Sequence, residues 1–494
     1  MAYIIGIDQS TQGTKALLFD GAGKIVLRVD KPHRQLVNSK GWVEHDPEEI
    51  YANTLALLRE LVTKAGVDTQ DIAALGISNQ RETALAWNRD TGKPVYNAIV
   101  WQCARGAAIC ERLEKQGVAP LVRAHTGLQL SPYFSAAKLA WILENVPGTK
   151  ELMAQGKLCL GTMDSFLVFR LTQGKVFKTD ASNASRTQLL DIRKVQWDAE
   201  ICQAFGINPG ALPEVCASDS LFGVTAAGGL FKKPVPIHAV FGDSHAALYG
   251  QGCHAPGMIK ATYGTGSSVM MNIGAKPIWS QGGLVTSLAW QLGKQVSYVL
   301  EGNINYTGAG ITWLKDDLQL INSAAETEQL AREAKAEDKS YFVPAFTGLG
   351  APYWDSKARG LFCNITRNTG KREMVRAVLD AIAYQIRDIT DLMERESGRK
   401  ITALRVDGGP TRNKYLMQFQ TDITRIPVEV AGVEELSALG AAYGAGIATG
   451  VYDTKIFAGL QRTEFAPQLD ETRRQELYRG WQAAVARARF SFLD

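Results

Sequence analysis

A carboxylate and a turn of small residues lie close together in the middle of the chain. The apolar run 235–241 is typical of a buried strand, and it ends at Gly242 with Asp243 directly after it. Ser244 is predicted to cap the helix that the following residues begin. In the nearby turn 262–268, glycine, serine and threonine allow backbone N–H groups to approach a phosphate. A base next to a phosphate-binding turn is the combination that phosphoryl transfer requires.

A second polar turn lies near the N-terminus, between two predicted strands. Segment 8–15 reads Asp-Gln-Ser-Thr-Gln-Gly-Thr-Lys. Phosphoryl transfer depends on neutralising the transferred group, so Asp8 is a candidate to hold magnesium through water, Thr11 to contact the terminal phosphate and Lys15 to add positive charge. A polar hairpin turn without a ligand is the alternative interpretation. The chain contains no Gly-x-x-x-x-Gly-Lys-(Ser/Thr) P-loop.

The end of another predicted strand offers a surface for a nucleotide. Segment 404–409 closes an apolar run with an aspartate and two glycines. Backbone without side chains can pack flat against a base or a ribose, and Asn413 can hydrogen-bond there. A tight turn is again the alternative.

Polar residues past the predicted strand 72–78 are candidates to bind the molecule that receives the phosphate. Arg81 and Glu82 can bind a polyhydroxylated substrate, one by donating and the other by accepting hydrogen bonds. Trp101 and Tyr133 can add an apolar wall and a hydroxyl. Taken singly, each of these residues is better explained as part of a surface ion pair or as a core aromatic.

The elements that carry these residues follow one order twice along the chain. The first half is predicted to contain a strand–turn–strand–strand unit, a helix from about Pro47 capped by Asp46, and the strand 72–78. The second half is predicted to contain strands 258–263 and 268–272 around a turn, a long helix ending near Gly398, and the strand 401–406. Segments 72–77 and 401–406 share the pattern Ile-x-Ala-Leu-x-(Ile/Val). We therefore expect two related α/β halves around a cleft, with a boundary near residue 250.

Composition limits the class of protein. A chain of 494 residues exceeds one ordinary core, and its net charge of +4 is too small to indicate nucleic acid or a membrane surface as partner. No apolar stretch is long enough to span a membrane, and the first residues read as a strand, not a signal peptide. The 7 cysteines are an odd number without a Cys-x-x-Cys pair, which indicates neither a disulfide framework nor a zinc site. We expect a cytoplasmic protein.

Segments along nearly the whole chain resemble the FGGY carbohydrate kinases, and among them most closely the glycerol kinases. The matching segments are 8–15, 42–47, 79–82, 98–102, 132–141, 183–187, 262–266, 343–354 and 438–443. They occur in the family's order, and several are long enough to be specific.

The resemblance implies an α/β fold with two RNase H-like domains, as in actin, hexokinase and the Hsp70 ATPase, which close over MgATP and a polyol. It implies that domain 1–250 mainly binds the substrate and domain 251–494 mainly binds the nucleotide. Asp243 would be the catalytic base and a second candidate magnesium ligand after Asp8. Implied substrate-binding residues are Arg81, Glu82, Trp101, Tyr133 and Asp243. Implied nucleotide-binding residues are Thr11, Thr265, Gly308, Gly409 and Asn413, with Lys15 where glycerol kinases have an arginine near the phosphates.

Three positions depart from the glycerol kinase pattern. Ser244 replaces a glutamine next to the base, Ser268 replaces a phenylalanine that packs on the glycerol carbons, and Thr312 replaces a glutamine on the nucleotide side. Because two of the three lie in the substrate pocket, glycerol and a four- or five-carbon polyol or ketose (erythritol, xylulose or ribulose type) both remain candidate substrates. An actin- or Hsp70-like ATPase that binds a protein partner is a further alternative, although such a protein needs no polyol-lining residues. We expect a homo-oligomer, a dimer or a tetramer.

Overall fold

The computed structural model describes residues 2–490, and the first of its two large sheets comes from the N-terminal half of the chain. Its 6 strands lie in the order Leu221–Thr225, Val235–Gly242, Ile72–Asn79, Tyr3–Gln9, Gly13–Phe19 and Ile25–Pro32. The second, third and fourth strands of this order are parallel, and the others are antiparallel to their neighbours. Helix Pro47–Ala65 packs on this sheet and begins as predicted, since the Glu48 amide donates to the Asp46 side chain.

The second large sheet repeats this arrangement. Its 7 strands lie in the order Val285–Leu292, Gln295–Ile304, Ser267–Gly274, Ile259–Tyr263, Leu404–Asp407, Val428–Ala431 and Arg462–Phe465. In both sheets an antiparallel unit, of three strands in the first sheet and four in the second, is extended by two parallel strands that come later in the chain. The prediction of two related α/β halves is confirmed.

The long helix ends where it was predicted to end, whereas the strand after it begins later than predicted. Helix Lys371–Ser397 ends at Gly398, which adopts a left-handed conformation with φ 65°, as expected for a glycine C-cap. The strand predicted over 401–406 begins only at Leu404, because its pairing with the neighbouring parallel strand starts there, opposite Ile259.

A smaller sheet and a group of helices form an addition to the first half, with two of its strands before the strand Ile72–Asn79 and the other elements after it. The 5 strands are ordered Leu36–Val37, Val43–His45, Ala98–Ile99, Ala84–Asn88 and Leu158–Thr162. The helices are Ala107–Lys115, Ala119–Thr126, Ser135–Asn145, Thr149–Ala154 and Met163–Leu171. Connections within this addition carry Trp101 and Tyr133.

One helix of the second half packs on the sheet of the first half. Helix Leu436–Ala448 crosses the strands Tyr3–Gln9, Ile72–Asn79 and Val235–Gly242. A Cβ on Gly76 would lie 2.2 Å from the Ala441 carbonyl oxygen, so backbone meets backbone at this crossing.

The remaining elements connect these layers. The other helices are Ala181–Ala184, Ala199–Ala204, Asp243–Gly250, Gly308–Asp316, Glu326–Arg332, Lys414–Thr424 and Glu471–Ala488. Short strand pairs are Lys178–Asp180 with Glu214–Cys216, Leu190–Asp191 with Gln196–Trp197, and Tyr341–Val343 with Leu361–Cys363. Within residues 2–490, no helix combines the length and the apolar character that a membrane crossing requires.

Candidate active site

Three parallel strands of the first sheet end in one row. Gln9 pairs with Asn79, and Asn79 pairs with Gly242, so the residues that follow these strands leave the sheet at the same edge. Ligands of open α/β sheets bind at the carboxyl ends of parallel strands. This alignment brings Arg81 and Asp243 together although they lie far apart in sequence.

Asp243 is the first residue of the helix that leaves this edge. The helix Asp243–Gly250 begins directly after the extended residue Gly242, so the prediction that Ser244 caps it is wrong. The strand runs into the helix without a free residue between them, and the Ser244 amide instead donates to Asp243 Oδ1 at 2.7 Å. Arg81 Nε lies 3.2 Å from the same oxygen. The Asp243 side chain stays 34% exposed, which leaves it accessible to a ligand.

Arg81 and Glu82 belong to a buried network of ionised side chains. The Arg81 Nη1 and Nη2 atoms donate to Glu301 at 3.1 and 2.8 Å. Arg186 Nη1 lies 2.8 Å from Glu301, and Arg186 Nε donates to Glu82 Oε1 at 2.6 Å. Burial disfavours the ionised carboxylate, but the Arg186 and Arg81 guanidinium groups prevail and hold the pKa of Glu301 well below its ordinary value.

Glu301 and Arg186 were not among the sequence-predicted site residues. Glu301 is the single acid within an apolar stretch of the strand Gln295–Ile304, and an isolated charge in a buried strand was the signal available in the sequence. Glu82 carries a second signal that only the backbone reveals, a positive φ of 57° in a non-glycine residue. Strain of this kind often accompanies functional residues.

The aromatic residues predicted for the substrate wall lie next to each other. The ring centroids of Trp101 and Tyr133 are 5.5 Å apart, and Trp101 Nε1 donates to Thr11 Oγ1 at 2.9 Å. Lys138 stabilises the turn that carries Tyr133, because its Nζ donates to the carbonyl oxygens of Pro132 and Phe134 at 2.7 and 3.0 Å. Trp101 therefore connects the predicted substrate wall with the first polar turn.

Ser244 and Ser268 are both partly exposed. Ser244 donates to Asp243 through its backbone amide, whereas Ser268 donates through its side chain. Ser268 Oγ donates to Glu301 Oε1 at 3.0 Å, so this hydroxyl extends the buried network. Lys260, another residue that sequence reasoning missed, is fully buried behind it. Its Nζ donates to Thr262 Oγ1 at 3.0 Å and to the Ser268 carbonyl oxygen at 3.4 Å.

Asp8 lies at the same sheet edge in a more enclosed position. Ser78 Oγ donates to Asp8 Oδ1 at 3.0 Å. Burial raises the pKa of Asp8 from 3.8 to about 6, the Asp243 carboxylate acts in the same direction, and Lys15 opposes them. A buried carboxylate with a second carboxylate nearby is well suited to a divalent cation, and oxygen atoms are the ligands that Mg²⁺ prefers. Lys15 itself pairs with Glu435, with 2.7 Å between Nζ and Oε2.

The second predicted phosphate turn is bonded to the start of a helix. Gly308 N donates to the Gly264 carbonyl oxygen at 2.9 Å, and Thr307 N donates to that of Thr265 at 2.9 Å. Thr265 is exposed, as is Thr312, one turn along the same helix Gly308–Asp316. The structure thus brings together the predicted residues Thr265, Gly308 and Thr312.

The predicted nucleotide-binding strand end lies beside this turn. A Cβ on Gly408 would lie 2.0 Å from the Tyr263 carbonyl oxygen, whereas Gly409 is exposed with open space around it. The Asn413 side chain caps the helix Lys414–Thr424, and its Nδ2 donates to Thr327 Oγ1 at 3.0 Å. Asn413 therefore has a structural role in addition to the predicted one.

Two family models match the chain. The model of the N-terminal domain of the FGGY family of carbohydrate kinases matches residues 3–250, and that of the C-terminal domain matches residues 259–449. The chain is 47% identical over 491 residues to glycerol kinase 2 of Thermotoga maritima, with 99% of each chain covered. It is 48% identical over 490 residues to the glycerol kinase of Carboxydothermus hydrogenoformans, with 99% of this chain and 98% of the relative covered.

Solved structures agree with these matches. The crystal structure of Plasmodium falciparum glycerol kinase with ADP has a TM-score of 0.93 and 35% identity, covering 100% of this chain and 99% of that one. A xylulose kinase of Lactobacillus acidophilus has a TM-score of 0.87 at 23% identity, covering 98% of this chain and 97% of that one, and so shares the fold. The expected fold of two RNase H-like domains is confirmed. The chain belongs to the FGGY family of carbohydrate kinases.

Proposed function

We propose that this chain catalyses the ATP-dependent phosphorylation of a terminal hydroxyl of glycerol. The observation that carries the proposal is the partly exposed Asp243 carboxylate, held by Arg81 at a sheet edge beside two phosphate-binding turns. The nearly full-length relatives named above are glycerol kinases, which supports glycerol as the acceptor.

The polyol lies between the charged and the aromatic side chains of the first half. Arg81 donates to its hydroxyl oxygens, Glu82 accepts from its hydroxyl groups, and Tyr133 contributes one further hydroxyl. Trp101 packs against the carbon chain and restricts water. These contacts hold the terminal hydroxyl next to Asp243.

The transfer step needs one base and a neutralised phosphate. Asp243 takes the proton of the terminal hydroxyl while that oxygen forms a bond to the γ-phosphorus and the bond to the leaving ADP breaks. Thr11, Lys15 and the backbone of the turn at Thr265 stabilise the charge on the phosphates. Mg²⁺ bound with the nucleotide would be held by Asp8 through water, with Asp243 as a second candidate ligand, and would neutralise phosphate charge.

The nucleotide is bound mainly by the second half. Thr265, Gly308 and Thr312 face it from one side, and Gly409 and Asn413 from the other. Together with the polyol contacts, this assignment makes 1–250 mainly the substrate-binding domain and 251–494 mainly the nucleotide-binding domain.

A coupled assay for ADP release across glycerol, erythritol, threitol, ribitol, xylulose and ribulose tests the proposal. Turnover that depends on added glycerol and has its highest kcat/KM with glycerol is the expected result. ATP hydrolysis that no polyol stimulates would contradict it and would favour an ATPase that acts on a protein partner.

A four- or five-carbon polyol or ketose is the second candidate substrate. Ser268 adds a hydrogen-bonding hydroxyl where glycerol kinases present a phenylalanine ring, and this hydroxyl is partly exposed. A site that pairs an additional substrate hydroxyl can reject an analogue lacking it. If one of the longer substrates has the highest kcat/KM, the double variant Ser268→Phe, Ser244→Gln should return the preference to glycerol.

The expected homo-oligomer stays a prediction. Sedimentation velocity of the purified chain tests it, and a monomer at all concentrations would contradict it.

A further inference from the structure

Glu301 lies where the two halves of the chain meet. It belongs to the strand Gln295–Ile304 of the second sheet, where it pairs with Met270 on one side and Val285 on the other. Its side chain is fully buried, yet its ionic partners Arg81 and Arg186 come from the first half. Both of its ionic partners lie in the other half, so this buried carboxylate joins the two halves of the chain.

The Glu301 carboxylate has no acceptor position left for a substrate. Oε1 receives Arg81 Nη2 at 2.8 Å and Ser268 Oγ at 3.0 Å. Oε2 receives Arg81 Nη1 at 3.1 Å and lies 2.8 Å from Arg186 Nη1. Three hydrogen bonds and the Arg186 ion pair surround the two oxygens, and the side chain is 0% exposed, so no face of the carboxylate is open to a substrate. Glu301 therefore acts on the site through its partners.

The contacts of Glu301 fix the planes of both arginines. Arg81 is held by its two terminal nitrogens, which leaves Nε directed at Asp243 at 3.2 Å. Arg186 forms an ion pair with Glu301 through Nη1, and its Nε donates to Glu82 at 2.6 Å. One carboxylate of the second half thus sets the orientation of the base partner and of the polyol-binding acid.

Charge balance makes this arrangement depend on the ionised form of Glu301. Arg81 and Arg186 are both buried, and two neighbouring guanidinium groups repel each other unless an anion lies between them. A neutral amide at position 301 would keep the shape of the side chain but would leave Glu82, at 4.0 Å from Arg81 Nε and 2.6 Å from Arg186 Nε, as the buried carboxylate that remains to compensate the repulsion.

We propose that Glu301 is a positioning residue that assembles the polyol site from both halves of the chain. The proposal rests on the proposed function, because it assigns Arg81, Glu82 and Asp243 to the polyol. It predicts a defect confined to polyol binding and transfer, without an effect on the nucleotide.

The test compares Glu301→Gln with Glu373→Gln. Glu373 is another buried glutamate of the second half, and it accepts from the Gly370 and Lys335 amides, neither of which is a candidate site residue. Glu301→Gln should raise the KM for the best polyol about 10- to 100-fold, as expected for the loss of a charged hydrogen-bond partner, with the KM for ATP within about twofold. Glu373→Gln should lower the melting temperature and leave both KM values unchanged. A polyol KM that Glu301→Gln leaves unchanged overturns the proposal.

Two further measurements cover a variant that fails to fold and an enzyme with another substrate. Ser268→Ala removes one of the four contacts of Glu301 and should raise the polyol KM about two- to fivefold. If Glu301→Gln does not fold, an unchanged polyol KM in Ser268→Ala overturns the proposal.

Amide hydrogen exchange of segment 79–83 in the free protein should be faster in Glu301→Gln than in Glu373→Gln, and Ser268→Ala replaces Glu301→Gln in this comparison if the latter does not fold. This readout needs no substrate, so it decides the role of Glu301 even if no polyol is phosphorylated and the proposed function fails.

Discussion

Asp8 and Asp243 lie at the same edge of the first sheet, on either side of the strand Ile72–Asn79, yet their surroundings give them different properties. Asp243 is 34% exposed and lies 3.2 Å from Arg81 Nε, so its carboxylate is accessible to a ligand. Asp8 is buried, and its pKa is raised to about 6. The difference suits one carboxylate to proton transfer and the other to holding a cation.

Replacing Asp243 with asparagine should remove the base and little else. We expect kcat to fall by about 10²–10⁴-fold, the usual contribution of a general base, with the KM values for ATP and polyol changed only slightly. Steady-state kinetics measures this. A kcat close to that of the unaltered enzyme would show that Asp243 only begins its helix.

The raised pKa of Asp8 makes both activity and stability depend on pH. Its pKa is about 6 in the folded chain against 3.8 unfolded, so the stability that its protonated form contributes is present below 3.8 and is lost as pH rises through about 6. Asp8→Asn removes this loss. The variant should therefore gain in melting temperature relative to the unaltered protein between pH 5 and pH 7.5.

The activity of the unaltered enzyme should change with pH in the opposite direction to its stability. The ionised carboxylate is the form that binds Mg²⁺, so kcat/KM for MgATP should decrease as pH is lowered through about 6. Asp8→Asn should be poorly active throughout. A melting-temperature difference between the two proteins that does not vary with pH would contradict the assignment of a raised pKa to Asp8.

At the scale of elements, the contact between helix Leu436–Ala448 and the first sheet depends on a glycine, Gly76, because any side chain there would collide with the helix backbone. Its backbone approaches Gly76 so closely that a Cβ there would lie 2.2 Å from one carbonyl oxygen and 2.5 Å from the carbon bonded to it. Glu435, just before this helix, pairs with Lys15 of the first polar turn. This region of the second half is therefore linked both to the first sheet and to the first polar turn.

Gly76→Ala should separate this helix from the sheet. Because the clash is with backbone, side-chain rotation cannot relieve it, and we expect a loss of about 1–3 kcal/mol in the free energy of unfolding. Gly21→Ala is the matched control, since its Cβ would have only an ordinary contact of 3.7 Å, and it should change stability by less than about 0.5 kcal/mol. Urea denaturation of both variants compares them, and equal stabilities would contradict this account of the packing.

At the scale of the whole molecule, the site is divided between the halves. Arg81, Glu82 and Asp243 come from the first half, whereas Glu301 and the turn at Thr265 come from the second. Both halves must approach one nucleotide, and water must be excluded during transfer.

We expect MgADP and polyol together to close the two halves about the region near residue 250. Small-angle scattering should show a smaller radius of gyration with both ligands than with either one alone. An unchanged radius under saturating ligands would count against closure.

The sequence by itself determined the local features and their order. Helix Pro47–Ala65 with its Asp46 cap, the stop of the long helix at Gly398, and the repeated order of strands all depend on residues close in sequence, where periodicity and capping rules apply. The family resemblance added the candidate site residues, and the family itself is confirmed by the matching models.

Only the tertiary structure decided which charges meet. Arg81 and Glu301 are separated by 220 positions, and their pairing follows from sheet packing and not from any local pattern. For the same reason the sequence did not reveal that Arg186 orients Glu82, or that Ser268 donates to Glu301. The predicted cap at Ser244 is wrong for a similar reason. Strand pairing continues as far as Gly242 and the helix begins at Asp243, so no residue between them is free to act as a side-chain cap. Buried ion pairs form where distant segments exclude water together, and that depends on the complete fold.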